Sequence, residues 1–274
     1  MTKVRNALIG LFVVAFLAGV ASCGGGGGYS STTSSQGQAT VVRSTSLTGA
    51  QEVPPVVTAA TGRGAVVVNP TTMEITGGVT FTGLSGNPTG AHIHRADTNI
   101  VFGLVQAVDN ATATVPAGTV LSGADYAELL AGTLYFNVHT AANPNGEIRG
   151  QITGTTGVTT GLATLNGAQE VPPNASMATG RGTLVVDSTT REILIGYVTH
   201  NVAGANAAHI HTGIPGVIGG VRVTLNLGTN VATAPQGATM TAQDMADLAI
   251  NYLYFNVHNP TYPDGEIRGL IAVQ

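Results

Sequence analysis

The chain has 274 residues and a formal charge of −4 at pH 7, and its few charged residues (9%) form no Lys/Arg cluster, which excludes a nucleic-acid groove. Lysine occurs only at Lys3 and cysteine only at Cys23. An intrachain disulfide and a thiol nucleophile in the body of the chain are therefore excluded, as is a Schiff-base lysine if the N-terminus is cleaved, and histidine and carboxylate remain for chemistry.

In chain order, residues 1–23 read as an export signal. Lys3 and Arg5 give a positive start, and Ala7 to Leu17 form an apolar run too short to span a bilayer. Val20-Ala21-Ser22-Cys23 resembles a bacterial lipobox, with an ordinary signal peptide and a chance cysteine as the alternative. A lipobox implies that Cys23 is acylated, as with palmitate, and anchors a lipoprotein to the cell envelope, since two or more acyl chains hold stably. Gly24 follows where Asp would mark inner-membrane retention, so in a two-membrane bacterium the expected site is the outer membrane. Residues 24–38 are a Gly/Ser/Thr tether without means to form a core.

A first domain is expected over residues 39–154. Alternation marks strands in Gly64–Val68, Ile75–Phe81, Leu104–Val108, Tyr135–His139 and Glu147–Ile152, the last two joined by a turn at Asn143–Gly146. Ser122 with Asp125 three residues on predicts one short helix. Residues 155–161 read as a linker and 162–274 as a second domain, with Thr241 and Asp244 at the matching helix start. Many short strands between turn signals imply, for each half, an all-β sandwich or Greek-key barrel with one short helix.

The second half repeats the first. Gly49-Ala50-Gln51-Glu52-Val53-Pro54-Pro55, Ala91-His92-Ile93-His94, Tyr135-Phe136-Asn137-Val138-His139 and Asn145-Gly146-Glu147-Ile148-Arg149-Gly150 each recur 117 to 119 residues later. The recurring copies carry Glu170, His209, His211, His258, Glu266 and Arg268. That period is far above the roughly 20–50 residues of solenoid repeats and indicates a duplicated domain. Six of the seven histidines lie in these blocks.

His92 and His94 alternate on a strand, so their imidazoles project from one face and can converge on one ion, with His139 as a third nitrogen. His209, His211 and His258 repeat the set. Three neutral imidazoles suit copper or zinc with one coordination position open. The alternative is half-buried histidines that satisfy loop backbone. His200 has no histidine counterpart in the first half and is expected on an exposed strand or loop. Glu147 and Arg149, like Glu266 and Arg268, sit two residues apart. They read either as an anion-steering or metal-supporting pair near His139 or as a structural ion pair that orders the last hairpin, the latter preferred. Glu52 and Glu170 precede Pro-Pro, which is expected to fix an extended sheet edge, with the carboxylates reaching backbone N–H groups or Arg63 and Arg181. No nucleophile-and-base constellation occurs, so a non-catalytic binding or cell-surface structural module is the leading expectation and a histidine metal site for metal buffering or redox chemistry the alternative.

Together these blocks resemble the CHRD domain, the module named after chordin, present twice. The resemblance implies an exported protein with immunoglobulin-like β-domains of limited similarity to copper/zinc superoxide dismutases, and a secreted or surface protein ligand by analogy with chordin. In the dismutases a His-x-His strand and a later histidine hold copper, and the order here is similar. No counterpart of their bridging histidine or zinc cluster is seen, which counts against dismutation. Domain one departs from the family pattern at Arg95-Ala96-Asp97-Thr98, where domain two has Thr212-Gly213-Ile214-Pro215-Gly216, and domain two departs at His258-Asn259-Pro260.

Overall fold

The computed structural model describes residues 40–107, 111–154 and 157–274. The export signal, Cys23 and the tether lie outside the described residues.

Domain one contains strands β1 (Val41–Thr48), β2 (Thr61–Val68), β3 (Ile75–Thr82), β4 (Pro88–His94), β5 (Ile100–Gly103), β6 (Val105–Gln106), β7 (Thr112–Thr114), helix α1 (Gly123–Ala131), β8 (Tyr135–Thr140) and β9 (Ile148–Gln151). They form one antiparallel sheet in the order β5-β4-β8-β9-β1-β2-β3-β7-β6. A single segment, Ile100 to Gln106, pairs with β4 at one edge and with β7 at the other. Leu104 joins the two halves of that segment by donating its N–H to Ala91 O at 2.8 Å. The sheet thus curls into a nearly closed barrel, which leaves few unpaired edges.

Domain two repeats this with β10 (Val158–Asn166), β11 (Thr179–Asp187), β12 (Ile193–His200), β13 (Ala207–Thr212), β14 (Val221–Thr224), β15 (Asn226–Leu227), β16 (Val231–Thr233), α2 (Ala242–Ala249), β17 (Leu253–His258), β18 (Ile267–Leu270) and β19 (Ala272–Val273). Its strand order is the same, with β19 added against β10. β10 begins at Val158, so part of the expected linker is strand.

Alternation decides what each barrel buries. Ile93, Phe136, Val138 and Ile148 point inward and join Leu47, Val66, Val79 and Phe81 in one apolar cluster. Phe136 has no exposed surface. Burial of a side chain that size contributes about 2–3 kcal/mol. The helices form where the sequence places their caps: Ser122 Oγ accepts from Asp125 N, and Thr241 and Asp244 form a reciprocal capping box.

His200 departs from its expectation. Phe81 and His200 occupy matching places, opposite Gly62 and Gly180, so this imidazole stands where domain one has a core phenylalanine. It is 5% exposed and neither ring nitrogen has a partner. Burial holds its pKa below the ordinary value, with the Glu266 carboxylate opposing, so it is neutral near pH 7.

The two barrels pack on each other within one compact unit. Ala65, Val67, Val185, Leu194, Ile195 and Tyr197 form a shared apolar cluster between them. Tyr197 Oη accepts from Gly77 N at 3.1 Å across this interface. Two ion pairs flank it, Arg63 with Glu192 at 3.9 Å and Arg181 with Glu74. These are the same two positions of each domain exchanged, so the contact is reciprocal, as across a two-fold axis.

Candidate metal centre

The outer faces of β4 and β8 build the site. In register, His92 lies opposite Asn137, His94 opposite Tyr135 and Gly90 opposite His139. Because Ile93, Phe136 and Val138 point into the barrel, the three histidines share the other side of the sheet. His94 is nevertheless only 7% exposed, which shows that loops cover this face.

The three rings converge. Their centroids are 5.4 Å (His92–His94), 4.9 Å (His92–His139) and 5.9 Å (His94–His139) apart. In domain two the same pairs stand at 5.3, 4.9 and 6.0 Å. In each triad one nitrogen from every ring lies within 4.8 Å of the other two.

Loop carbonyls set the tautomers. His94 Nδ1 meets Thr98 O at 2.8 Å and His139 Nδ1 meets Pro144 O at 3.1 Å. A carbonyl only accepts, so Nδ1 carries the proton and Nε2 keeps its lone pair. Those two Nε2 atoms, and His92 Nδ1, are buried without any hydrogen-bond partner. Domain two repeats the arrangement through Gly219 O at 2.9 Å from His211 and Pro263 O at 3.0 Å from His258. There His209 Nδ1 lies 3.0 Å from His258 Nε2. Two nitrogens bound to one ion at about 2.0–2.1 Å, at angles between square and tetrahedral, are about 2.9–3.4 Å apart.

Burial lowers the pKa of every histidine in the triads. His139 falls to about 4 through burial and then the neighbouring His92, and His209 to about 4 through burial, His258 and His211. Near pH 7 all six are neutral, the form in which imidazole binds metal, although in domain two the His209–His258 contact engages one lone pair. Copper or zinc therefore fits the donor set.

Aromatic and polar neighbours back the triads. The Tyr135 ring stacks on His94 at 5.2 Å and 9°, and the Arg149 guanidinium lies 3.7 Å from the centre of Tyr135. Tyr254 and Arg268 do the same for His211, at 5.0 Å and 3.6 Å. These tyrosines and Asn137/Asn256 were not singled out in sequence, although Tyr-x-Asn-x-His alternation places them on the histidine face.

Several carboxylate expectations need correction. Glu147 forms no ion pair with Arg149. Its carboxylate accepts from the hydroxyls of Thr58 (2.8 Å), Ser85 (2.6 Å) and Thr140 (2.7 Å), and from Ser85 N at 2.9 Å. Burial alone would raise its pKa, but these donors outweigh it and hold it at about 2. Glu266 is held by Ser176 Oγ at 2.6 Å and by Asn259 Nδ2, while Arg268 turns to loop carbonyls. Neutral donors satisfy each buried carboxylate, so neither needs the guanidinium.

Glu52 and Glu170 do not reach Arg63 and Arg181, which serve the domain interface. Each is 6% exposed with Oε1 unpartnered, beside Asn137 Oδ1 or Asn256 Oδ1, likewise unpartnered. Burial raises both to about 7, offset in part by Arg149 and Arg268 respectively. Gly146 permits this packing: at its φ of +128° a Cβ would lie 2.4 Å from Asn137 Oδ1 and 2.6 Å from Glu52 Oε1. Nor do the prolines cap an edge. β1 is paired on both sides, and Val53-Pro54 lies in the loop after a short turn, Gly49–Gln51.

A family model described as the CHRD domain matches residues 43–152 and again residues 162–271. No curated protein matches the chain, and no solved structure does.

Proposed function

The chain belongs to the CHRD domain family, with two copies covering most of its length, and from that premise we propose that each domain is a copper- or zinc-binding module, carried outside the cytoplasm on a lipid anchor. A tandem of small β-domains without a nucleophile and its base fits a binding or structural module. The metal reading is carried by one observation: in both copies three imidazole nitrogens converge while loop carbonyls hold the opposite nitrogens of two rings, and the converging nitrogens have no partner outside the triad, all three being unpartnered in domain one and His211 Nε2 in domain two. Burying such acceptors costs free energy unless a donor or an ion satisfies them. The carbonyls do for these rings what outer partners do for metal-bound histidine, fixing tautomer and orientation.

Within this reading His92, His94 and His139 hold one ion, and His209, His211 and His258 another. A bound ion supplies Lewis acidity or, as copper, one-electron exchange. The chain's own part is to keep the imidazoles neutral and oriented, with the Tyr135/Arg149 and Tyr254/Arg268 stacks bracing one ring of each triad. Elemental mass spectrometry on the full, untagged chain tests it. About two equivalents of copper or zinc are expected, lost in a variant with His92, His94, His209 and His211 all changed to alanine. A protein that refuses both metals would leave the histidines structural.

The anchor rests on the lipobox-like Val20–Cys23. Cys23→Ala is expected to move the protein from the membrane to the soluble fraction, and an unchanged partition would remove the anchor from this reading. Recognition of a secreted protein through a patch common to both domains is less favoured. The loop at Ile214, Val217 and Ile218 exposes apolar side chains, whereas the domain-one turn is Arg95-Ala96-Asp97-Thr98.

A further inference from the structure

The two triads are copies, so what differs between them is informative, and three differences point the same way. First, Gly90 lies opposite His139, whereas Ala207 lies opposite His258. A Cβ at Gly90 would stand 3.0 Å from His92 Cε1, so the glycine lets the His92 ring lie against the β4 backbone uncrowded by a side chain. Second, His139 is only half-buried, while His258 is 7% exposed and already 3.0 Å from His209.

Third, the covering loops are fastened differently. In domain two Arg268, 2% exposed, donates to Val217 O at 2.9 Å and to Ile214 O at 3.5 Å. Gly219 N donates to Tyr254 Oη at 3.0 Å, and Gly219 O holds His211. The loop is thereby bolted to the stack behind the triad. In domain one Arg149 is half-buried and donates to Gln151. The shorter 95–99 turn is held through Arg95 to Asp125 and Glu128 of α1 instead. Thr98, whose carbonyl holds His94, sits at φ +72°, a strained backbone for a β-branched residue.

We propose that the two sites are not equivalent: domain one binds its ion in exchange with solvent, with a coordination position open to a small exogenous ligand, and domain two holds its ion closed. This rests on the copper/zinc reading and adds a division of labour to it. Open and closed coordination is the ordinary difference between reactive and structural metal sites.

The test loads the full chain with Cu(II) and follows copper release to excess EDTA. Two phases of one equivalent each are expected, differing at least tenfold in rate. His92→Ala or His139→Ala should abolish the fast phase, and His209→Ala or His258→Ala the slow one. Gly90→Ala should slow the fast phase and Ala207→Gly should speed the slow one, each without loss of the fold. Azide should change the copper absorption spectrum with a stoichiometry of one. Release in a single phase, azide binding at both sites, or a fast phase that belongs to domain two would overturn the division of labour while leaving metal binding intact. Failure to take up copper at all would overturn both.

Discussion

Domain one and domain two differ least where their chemistry lies and most in what surrounds it. Ring separations in the two triads agree within 0.1 Å, and the same loop positions supply the Pro144 and Pro263 carbonyls. Yet the barrel interior carries Phe81 in one copy and a neutral, unpartnered His200 in the other. The cover carries a polar turn in one and an apolar loop in the other. The sheet register that sets the imidazoles is thus rigid enough to survive substitutions on either side of it.

The largest effects are expected from exchanging the interiors. Phe81→His should cost about 3 kcal/mol or more, through lost apolar burial and an imidazole without partners. His200→Phe should stabilise by about 1–3 kcal/mol, because it removes a desolvated polar ring. Urea midpoints would read both. A destabilised His200→Phe would mean that the imidazole is kept for a purpose other than packing.

Next come the buried carboxylates. Glu147 collects three hydroxyls and an N–H, whereas Glu266 has one hydroxyl and one side-chain amide. Glu147→Gln should therefore cost about 1–3 kcal/mol at pH 7, and Glu266→Gln less. The folded pKa of Glu147, about 2, lies below the ordinary carboxylate value of 4.5. The stabilisation it gives is thus complete above pH 4.5 and is lost as pH falls towards 2. Thermal melts across that window should show a shallower acid decline in Glu147→Gln, and an unchanged slope would contradict the assignment.

The smallest effects belong to the reciprocal ion pairs. Arg181 and Arg63 have side chains 58% and 48% exposed, so each pair should be worth less than about 1 kcal/mol in a double-mutant cycle. The longer Arg63–Glu192 pair is expected to be the weaker, and equal coupling energies would argue that the interface is more symmetric than its distances.

Periodicity carried much of this architecture. The recurring blocks announced two domains, His-x-His placed two rings on one face, and Ser122/Asp125 and Thr241/Asp244 marked both helices. The remainder was hidden for physical reasons. The burial of His200 is hidden because the repeat pairs it with a phenylalanine, and nothing in a histidine's identity tells which face of a strand it takes. The partners of Glu147 at Thr58 and Ser85 lie 89 and 62 residues away, brought near only by barrel closure. Thr98, Pro144, Gly219 and Pro263 act through backbone oxygens, which every residue possesses and no motif records.

The short passage between the barrels has its own consequence. Gly154 is paired with Ser44 at the end of one barrel, and Val158 already opens the first strand of the next. A connection that short sets a local concentration of one barrel around the other on the order of 1 mM. Faces that, on separate chains, would part with a dissociation constant of about 0.1 mM would then be closed roughly nine times in ten, whatever the dilution. The interface so held combines one tyrosine hydroxyl, the Thr80 hydroxyl on Leu194 O, a few aliphatic side chains and two exposed ion pairs.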